Sequence, residues 1–191
     1  INKMKKSENG TPIVNQEQLI KILNNSPKGV TVLGPVGIGK TWALKKADLP
    51  CGVTSANTIS GMYASGGMEE VKREFQYQLQ GRLPLVIDDL GTEIIMGNYG
   101  TKLDVVQWLI LECYNRGTKM YFTTNLTIEE LTERYGVRVA DRIKEDTYII
   151  VLEGERDFKS QLQKDRIYET KLANIETNAE KFAQKTKADL E

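Results

Sequence analysis

The eight residues GPVGIGKT, Gly34 to Thr41, constrain this chain more than any other stretch. They fit the pattern G-x-x-x-x-G-K-[ST], follow the β-branched run GVTVLG (29–34) and open the helix-prone TWALKKA. That strand–loop–helix setting gives the pattern its physical meaning. Glycines at 34, 37 and 39 let the backbone turn so that successive N–H groups point inward. The helix beginning near Lys40 adds the positive end of its dipole. The result is an anion cradle. Gly34, Pro35, Val36, Gly37, Ile38 and Gly39, continued by Lys40, Thr41 and Trp42, are expected to wrap a polyphosphate. Lys40 can reach the β- and γ-phosphates, and the Thr41 hydroxyl can ligate Mg²⁺, so ATP with Mg²⁺ is the expected cofactor.

A second stretch fits the same chemistry. In PLVIDDLGTE (84–93) an apolar run, LPLVID (83–88), ends on the adjacent carboxylates Asp88 and Asp89, with Glu93 following in the loop. Two repelling charges after a buried strand suggest a cation between them and the phosphates. Asp88 is expected to hold Mg²⁺ through water and Asp89 to orient the attacking water. A supporting charge or a helix cap is the plainer reading of Asp89. Glu93 reads as a solvated loop glutamate, placed so that it could assist.

Strand-like and helix-like segments alternate along the chain. NQEQLIKILNN (15–25) reads as an amphipathic helix with Asn15 as N-cap and Gln18 at the capping-box position. CGVTS (51–55) reads as a strand, and ANTISGMYASGG as a flexible, small-residue segment. MEEVKREFQYQLQ (68–80) places Val71, Phe75 and Leu79 on one helical face. DVVQWLILECYN (104–115) is a strongly apolar helix, KMYFTTN (119–125) a strand and TYIIVL (147–152) another. Between them TIEELTERYG has Thr127 as N-cap and Glu130 closing a capping box, and VRVADRIKE continues as helix. Such alternation implies an α/β fold, a parallel sheet covered by helices on both faces. The segments divide the chain into an N-terminal extension (1–28), a nucleotide-binding domain (29–160) and a polar, helix-prone or disordered tail (161–191).

Asn125 closes the TTN run at the same sheet edge as the phosphate loop. An amide there can hydrogen-bond the γ-phosphate or the attacking water; turn chemistry accounts for it more simply when taken alone. Arg138 and Arg142 stand four residues apart on one helical face. An arginine inserted into a neighbouring subunit's site stabilises the charge of phosphoryl transfer. A surface ion pair of Arg142 with Asp141 explains the pattern equally well.

Composition narrows the alternatives. Formal net charge is zero across 26 basic and 26 acidic side chains, which argues against attachment to nucleic acid by bulk charge. The two cysteines, Cys51 and Cys113, and the absence of histidine leave no zinc cluster and no Ser-His or Cys-His nucleophile. Scarce cysteine suits a reducing, cytoplasmic setting. The longest apolar runs, such as 148–152, are too short to span a membrane. The chain opens on Ile1, which leaves room for an upstream segment.

Taken together, GPVGIGKT, VIDDLGTE, TTNL and IEELTERYGVRVADRI resemble the AAA+ ATPases of the bacterial replicative-helicase loader type (DnaC/DnaI-like), to which IstB-type transposition helper ATPases are related. The likeness runs from about residue 29 to about residue 160. It implies a P-loop NTPase domain with a five-stranded parallel sheet in the order 5-1-4-3-2 and a truncated or absent lid. It also implies ATP hydrolysis, a homo-oligomeric ring or spiral, and contacts with single-stranded DNA and a hexameric helicase. Residue by residue, Lys40 and Thr41 match the first motif, Asp88 and Asp89 the second, and Asn125 the first sensor. Arg142 falls on the family's arginine finger, with Arg138 at the companion basic position. Lys159 takes the place of the second-sensor arginine, with Arg156 nearby, and lysine lacks the planar fork of arginine. Cys113 replaces the usual arginine before tyrosine.

The expected function is therefore that of an ATP-hydrolysing accessory protein of DNA replication. A transposition helper acting on duplex DNA is the alternative. A P-loop kinase for a small metabolite fits less well, because no arginine-rich lid is visible. Lys45, Lys46, Lys72 and Arg73 could track a DNA backbone, and solvated helix faces explain them equally well. EIIMGNYGTK (93–102) could project towards DNA or another subunit; a long turn is the simpler reading.

Overall fold

The computed structural model describes residues 5–7 and 10–154. In chain order its elements are β1 (Lys5–Lys6), β2 (Pro12–Val14), α1 (Gln16–Asn25), β3 (Gly29–Leu33), α2 (Lys40–Lys46), β4 (Thr54–Ser55) and α3 (Ala56–Glu74). There follow β5 (Leu85–Asp88), β6 (Gly97–Asn98), β7 (Thr101–Lys102), α4 (Val105–Asn115), β8 (Met120–Thr124), α5 (Ile128–Tyr135), α6 (Val137–Asp146) and β9 (Thr147–Leu152).

The main sheet has seven strands in the order β1-β2-β9-β3-β8-β5-β4. Its β9-β3-β8-β5-β4 portion is the expected 5-1-4-3-2 arrangement, all parallel. The sheet is nonetheless wider than the five strands expected. Pro12–Val14 adds alongside β9 in parallel, and Lys5–Lys6 pairs with it antiparallel. Proline suits such a position, because a strand near the edge can forgo one ladder donor. The N-terminal extension thus contributes to the sheet as well as supplying α1.

Strand alternation sorts the core into two layers. Leu85, Ile87, Met120 and Phe122 face one side, where they meet buried residues of α3 to α6, including Ile59, Leu109, Ile110 and Val139. Val86 and Tyr121 face the other, with Val30, Val32, Leu19, Leu23, Ala43 and Leu44 of β3, α1 and α2. Helices therefore cover both faces. The caps on α1 and α5 form as the sequence indicates, with reciprocal Asn15–Gln18 and Thr127–Glu130 boxes.

Several boundaries differ from the sequence expectation. The strand at 51–55 shrinks to Thr54–Ser55. The small-residue segment after it is helical, because Ala56, Ile59, Ser60 and Tyr63 bury one face of α3 and tertiary packing overrides weak propensity. Gly67, at φ 64° and ψ −160°, kinks that helix. The helix expected over 68–80 stops at Glu74, and a 3₁₀ turn follows at Gln78–Gln80, although Val71, Phe75 and Leu79 do pack on the same core. The 93–102 loop contains the β6–β7 hairpin. The tail expected over 161–191, and any lid after β9, lie outside the described residues. No helix among the described residues is long and apolar enough to cross a membrane.

Candidate functional site

The site collects at the carboxyl ends of β3, β5 and β8. Leaving β3, the chain turns through Gly34 (φ 152°), Gly37 (φ 86°) and Gly39 (φ 96°) into α2. The backbone angle at Gly39 favours glycine, and a Cβ there would lie 2.2 Å from Gln16 Nε2 and push that side chain off the loop. Gln16, at the start of α1, donates through Nε2 to the Ile38 carbonyl at 2.7 Å and braces the loop from the N-terminal side. Among the described residues, no backbone N–H from Val36 to Thr41 donates to a protein acceptor. N–H groups left without a protein acceptor on a glycine-rich turn are what an anion-binding loop requires. Val36 and Trp42 are exposed beside it.

Lys40 is buried, and its ammonium donates to the Gly34 and Pro35 carbonyls at 2.7 and 2.8 Å and to Asn125 Oδ1 at 2.6 Å. Burial lowers its pKa, opposed by the Asp89 and Asp88 carboxylates. Asn125 therefore does meet the phosphate loop, through its side-chain oxygen.

Thr41 Oγ1 donates to Asp88 Oδ1 at 3.0 Å. A hydroxyl and a carboxylate oxygen this close are hard ligands that fit Mg²⁺, which takes one or two protein oxygens and completes its shell with water and phosphate. Among the described residues no larger His, Cys, Asp or Glu cluster competes for a metal. Asp88 also accepts a hydrogen bond from the fully buried Thr123 hydroxyl, whose oxygen in turn accepts from the Asp89 N–H at 2.9 Å. One threonine thus fixes both members of the aspartate pair. Asp89 occupies the left-handed region at φ 54°, turning the chain sharply at the strand end. Burial raises its pKa, the Asp88 charge adds to the rise, and Lys40 opposes it.

Glu93 departs from the solvated reading. It is buried, with Oε2 accepting from the Gly91 N–H at 3.0 Å and Oε1 from Arg134 Nη2 at 2.8 Å and from the Tyr135 hydroxyl. Arg134 Nη1 reaches the Asp104 carboxylate at 2.5 Å. Asp104 is the N-cap of α4. Burial opposes the Arg134 charge, and its two carboxylate partners more than restore it, so its pKa is raised.

Arg138 and Arg142 lie on α6, away from this cluster in their contacts. Arg142 donates to Glu145 Oε2 at 2.6 Å and to the Tyr114 hydroxyl at 3.1 Å, with its guanidinium over the Tyr114 ring. Its acidic partner is Glu145, three residues on along the helix, and not the adjacent Asp141, which pairs with Lys144. Arg138 is exposed and has no side-chain partner among the described residues. Lys72 pairs with Glu69 at 3.4 Å. Lys159 and Arg156 lie outside the described residues.

Sequence reasoning missed Thr123 and Gln16 as supports. Thr123 had a signal in the TTN run, read there as β-strand chemistry. Gln16 had none, because its partner lies 22 residues away.

A glycine loop of this kind between a central strand and its helix, on a sheet ordered in this way, defines the AAA+ type of P-loop NTPase fold. Solved structures agree. The chain is similar to the DnaC helicase loader, with TM-score 0.55 and 22% identity over 72% of this chain and 87% of that one. It is similar to a putative primosome component from Streptococcus pyogenes serotype M3, with TM-score 0.53 and 17% identity over 74% and 79%. A replication initiator DnaA bound to AMPPCP and single-stranded DNA matches with TM-score 0.51 and 14% identity, over 81% of this chain and 49% of that one. At these identities the likeness establishes the fold. No protein-family model matches the sequence, and neither does any curated protein.

Proposed function

We infer that this protein binds and hydrolyses ATP as a helicase-loader-like accessory of DNA replication. Its nucleotide state would govern engagement of a hexameric replicative helicase and of single-stranded DNA. The carrying observation is the contact network that joins Lys40, Asn125, Thr41, Asp88 and, through Thr123, Asp89 at one sheet edge. The fold likeness to helicase loaders and to DnaA supports the cellular setting.

In this reading the free N–H groups from Val36 to Thr41 receive the phosphates, and Lys40 exchanges its carbonyl partners for β- and γ-phosphate oxygens. Thr41 and Asp88 would hold Mg²⁺, which when bound would supply charge neutralisation at the phosphates. Asp89 orients a water against the γ-phosphorus and takes its proton as the bond to the ADP oxygen breaks. Its raised pKa favours that role, because a base works best when its pKa lies nearer the working pH. Asn125, released by Lys40, is placed to report on the γ-phosphate. Arg142, with Arg138, completes the site of a neighbouring copy after leaving Glu145 and Tyr114. At the tip of the β6–β7 hairpin Tyr99 is fully exposed, and Ile94, Ile95 and Met96 are exposed before it. An open aromatic ring of this kind offers a stacking surface for an unpaired base.

The test is complementation between two inactive variants. Arg142→Ala and Asp89→Asn are each expected to lose ATPase activity, and their mixture to recover part of it at high protein concentration with single-stranded DNA. A mixture that recovers nothing, beside a wild type whose specific activity ignores concentration, would refute the shared site.

A further inference from the structure

The geometry points to Glu93 as a positioning residue for the loop that carries Asp89, tying that loop to the helix pair that presents Arg138 and Arg142. This role rests on the ATP-hydrolysing reading above. The loop from Asp89 to Glu93 is held at its first half by β8. Asp89 N–H reaches Thr123 Oγ1, Leu90 N–H reaches the Thr123 carbonyl at 2.8 Å, and Thr124 Oγ1 reaches the Leu90 carbonyl at 2.7 Å. In its second half Thr92 bonds back to the Asp89 carbonyl and accepts from Asn57, and Glu93 supplies the one charged side chain, held from the other direction. One carboxylate oxygen takes the Gly91 N–H; the other takes Arg134 and Tyr135, the last residues of α5. Gly136 follows at once and α6 begins at Val137. Arg134 extends the tie to Asp104 at the start of α4.

The Glu93 side chain is 1% exposed, so this cluster is a buried, nearly saturated network rather than a surface pair. A buried carboxylate costs free energy unless every partner is in place. The loop therefore has one well-defined setting relative to α5, and the short step from Tyr135 to Val137 passes that setting to α6. A displacement of α6 by a neighbouring copy would pull on Glu93 and move the backbone beside Asp89. Misplacing a reacting group by about 1 Å can cost roughly a hundredfold in rate.

Glu93→Gln keeps an acceptor for the Gly91 N–H and removes the charge facing Arg134, while Tyr135→Phe removes one donor and leaves the ion pair. For both, kcat for ATP is expected to fall, by about tenfold to a hundredfold for Glu93→Gln and less for Tyr135→Phe. KM and nucleotide affinity should stay within about twofold, since the phosphate loop is not touched. Amide hydrogen exchange at Gly91, whose N–H bonds Glu93, should quicken, while β8 and α4 remain protected. That last readout separates loop positioning from general unfolding. Unchanged kcat in folded variants with quickened exchange would overturn the role of Glu93 alone. A wild type that binds no ATP would overturn the proposed function and this role with it.

Discussion

Thr123→Val removes one oxygen from a fully buried side chain and leaves its shape almost unchanged. That oxygen serves two partners: it donates to the Asp88 carboxylate and accepts from the Asp89 N–H. Losing a hydrogen bond to a charged group costs about 1.5–3 kcal/mol, and a buried N–H left without an acceptor costs about 1–3 kcal/mol. The lower ends are used, because Asp88 keeps a second donor in Thr41 and Asp89 is only half-buried. The sum is about 2.5 kcal/mol, and for a chain of this size it should lower Tm by about 5–10 °C. Urea unfolding followed by circular dichroism is the direct assay, with Cm expected to fall at constant m. Thr123→Ser keeps the hydroxyl and loses a methyl group, so it should be the milder change. If Thr123→Val lies within about 0.5 kcal/mol of wild type, or if Thr123→Ser is the worse of the two, then the hydroxyl does not hold the aspartate pair as described.

Two further perturbations probe the same charges. Asp89 has a folded pKa above its unfolded value, so the native state binds more protons between the two values. Stability then falls as pH rises through that window, and the penalty is fully present above the folded pKa. Asp89→Asn should therefore be more stable than wild type at neutral pH, with the difference shrinking as pH drops towards the unfolded value; a difference that grows on acidification would contradict the burial assigned to Asp89. ATP with Mg²⁺, at about a hundred times its dissociation constant, should add about 2.7 kcal/mol and raise Tm by roughly 5–10 °C, visible by differential scanning fluorimetry. Lys40→Ala should abolish that rise, and an unmoved wild-type Tm would count against the nucleotide site itself.

What the sequence revealed, and what it hid, follows from the range of the interactions involved. GPVGIGKT was legible because its chemistry is local: glycine angles, loop amides and the helix start all arise within eight residues. The caps at Asn15 and Thr127 were legible for the same reason. The seventh and sixth strands were not, since Pro12–Val14 and Lys5–Lys6 are strands only by virtue of the β9 edge they join. Likewise the first half of α3, residues 56–67, looked too rich in small residues to be a helix, and it becomes one because Ile59 and Tyr63 find a core to bury against.

The carboxylates make the point most sharply, because three of them sit within six residues and end in three different environments. Asp88 meets two hydroxyls, Asp89 lies in a left-handed turn under the influence of Lys40, and Glu93 is enclosed by an arginine and a tyrosine more than forty residues away. Local spacing pointed to the first as a candidate metal ligand and to the second as a candidate base. It could not place the third, whose character depends on where α5 ends. Under the proposed function, the same dependence would link catalysis to assembly. Glu93, which is bonded to the loop that follows Asp89, is held by the residues immediately before α6, and α6 carries the arginines that a neighbouring site would need. If the protein hydrolyses ATP as proposed, this chain of buried contacts would let the rate respond to the arrangement of neighbouring copies without any change in the Gly34–Thr41 loop.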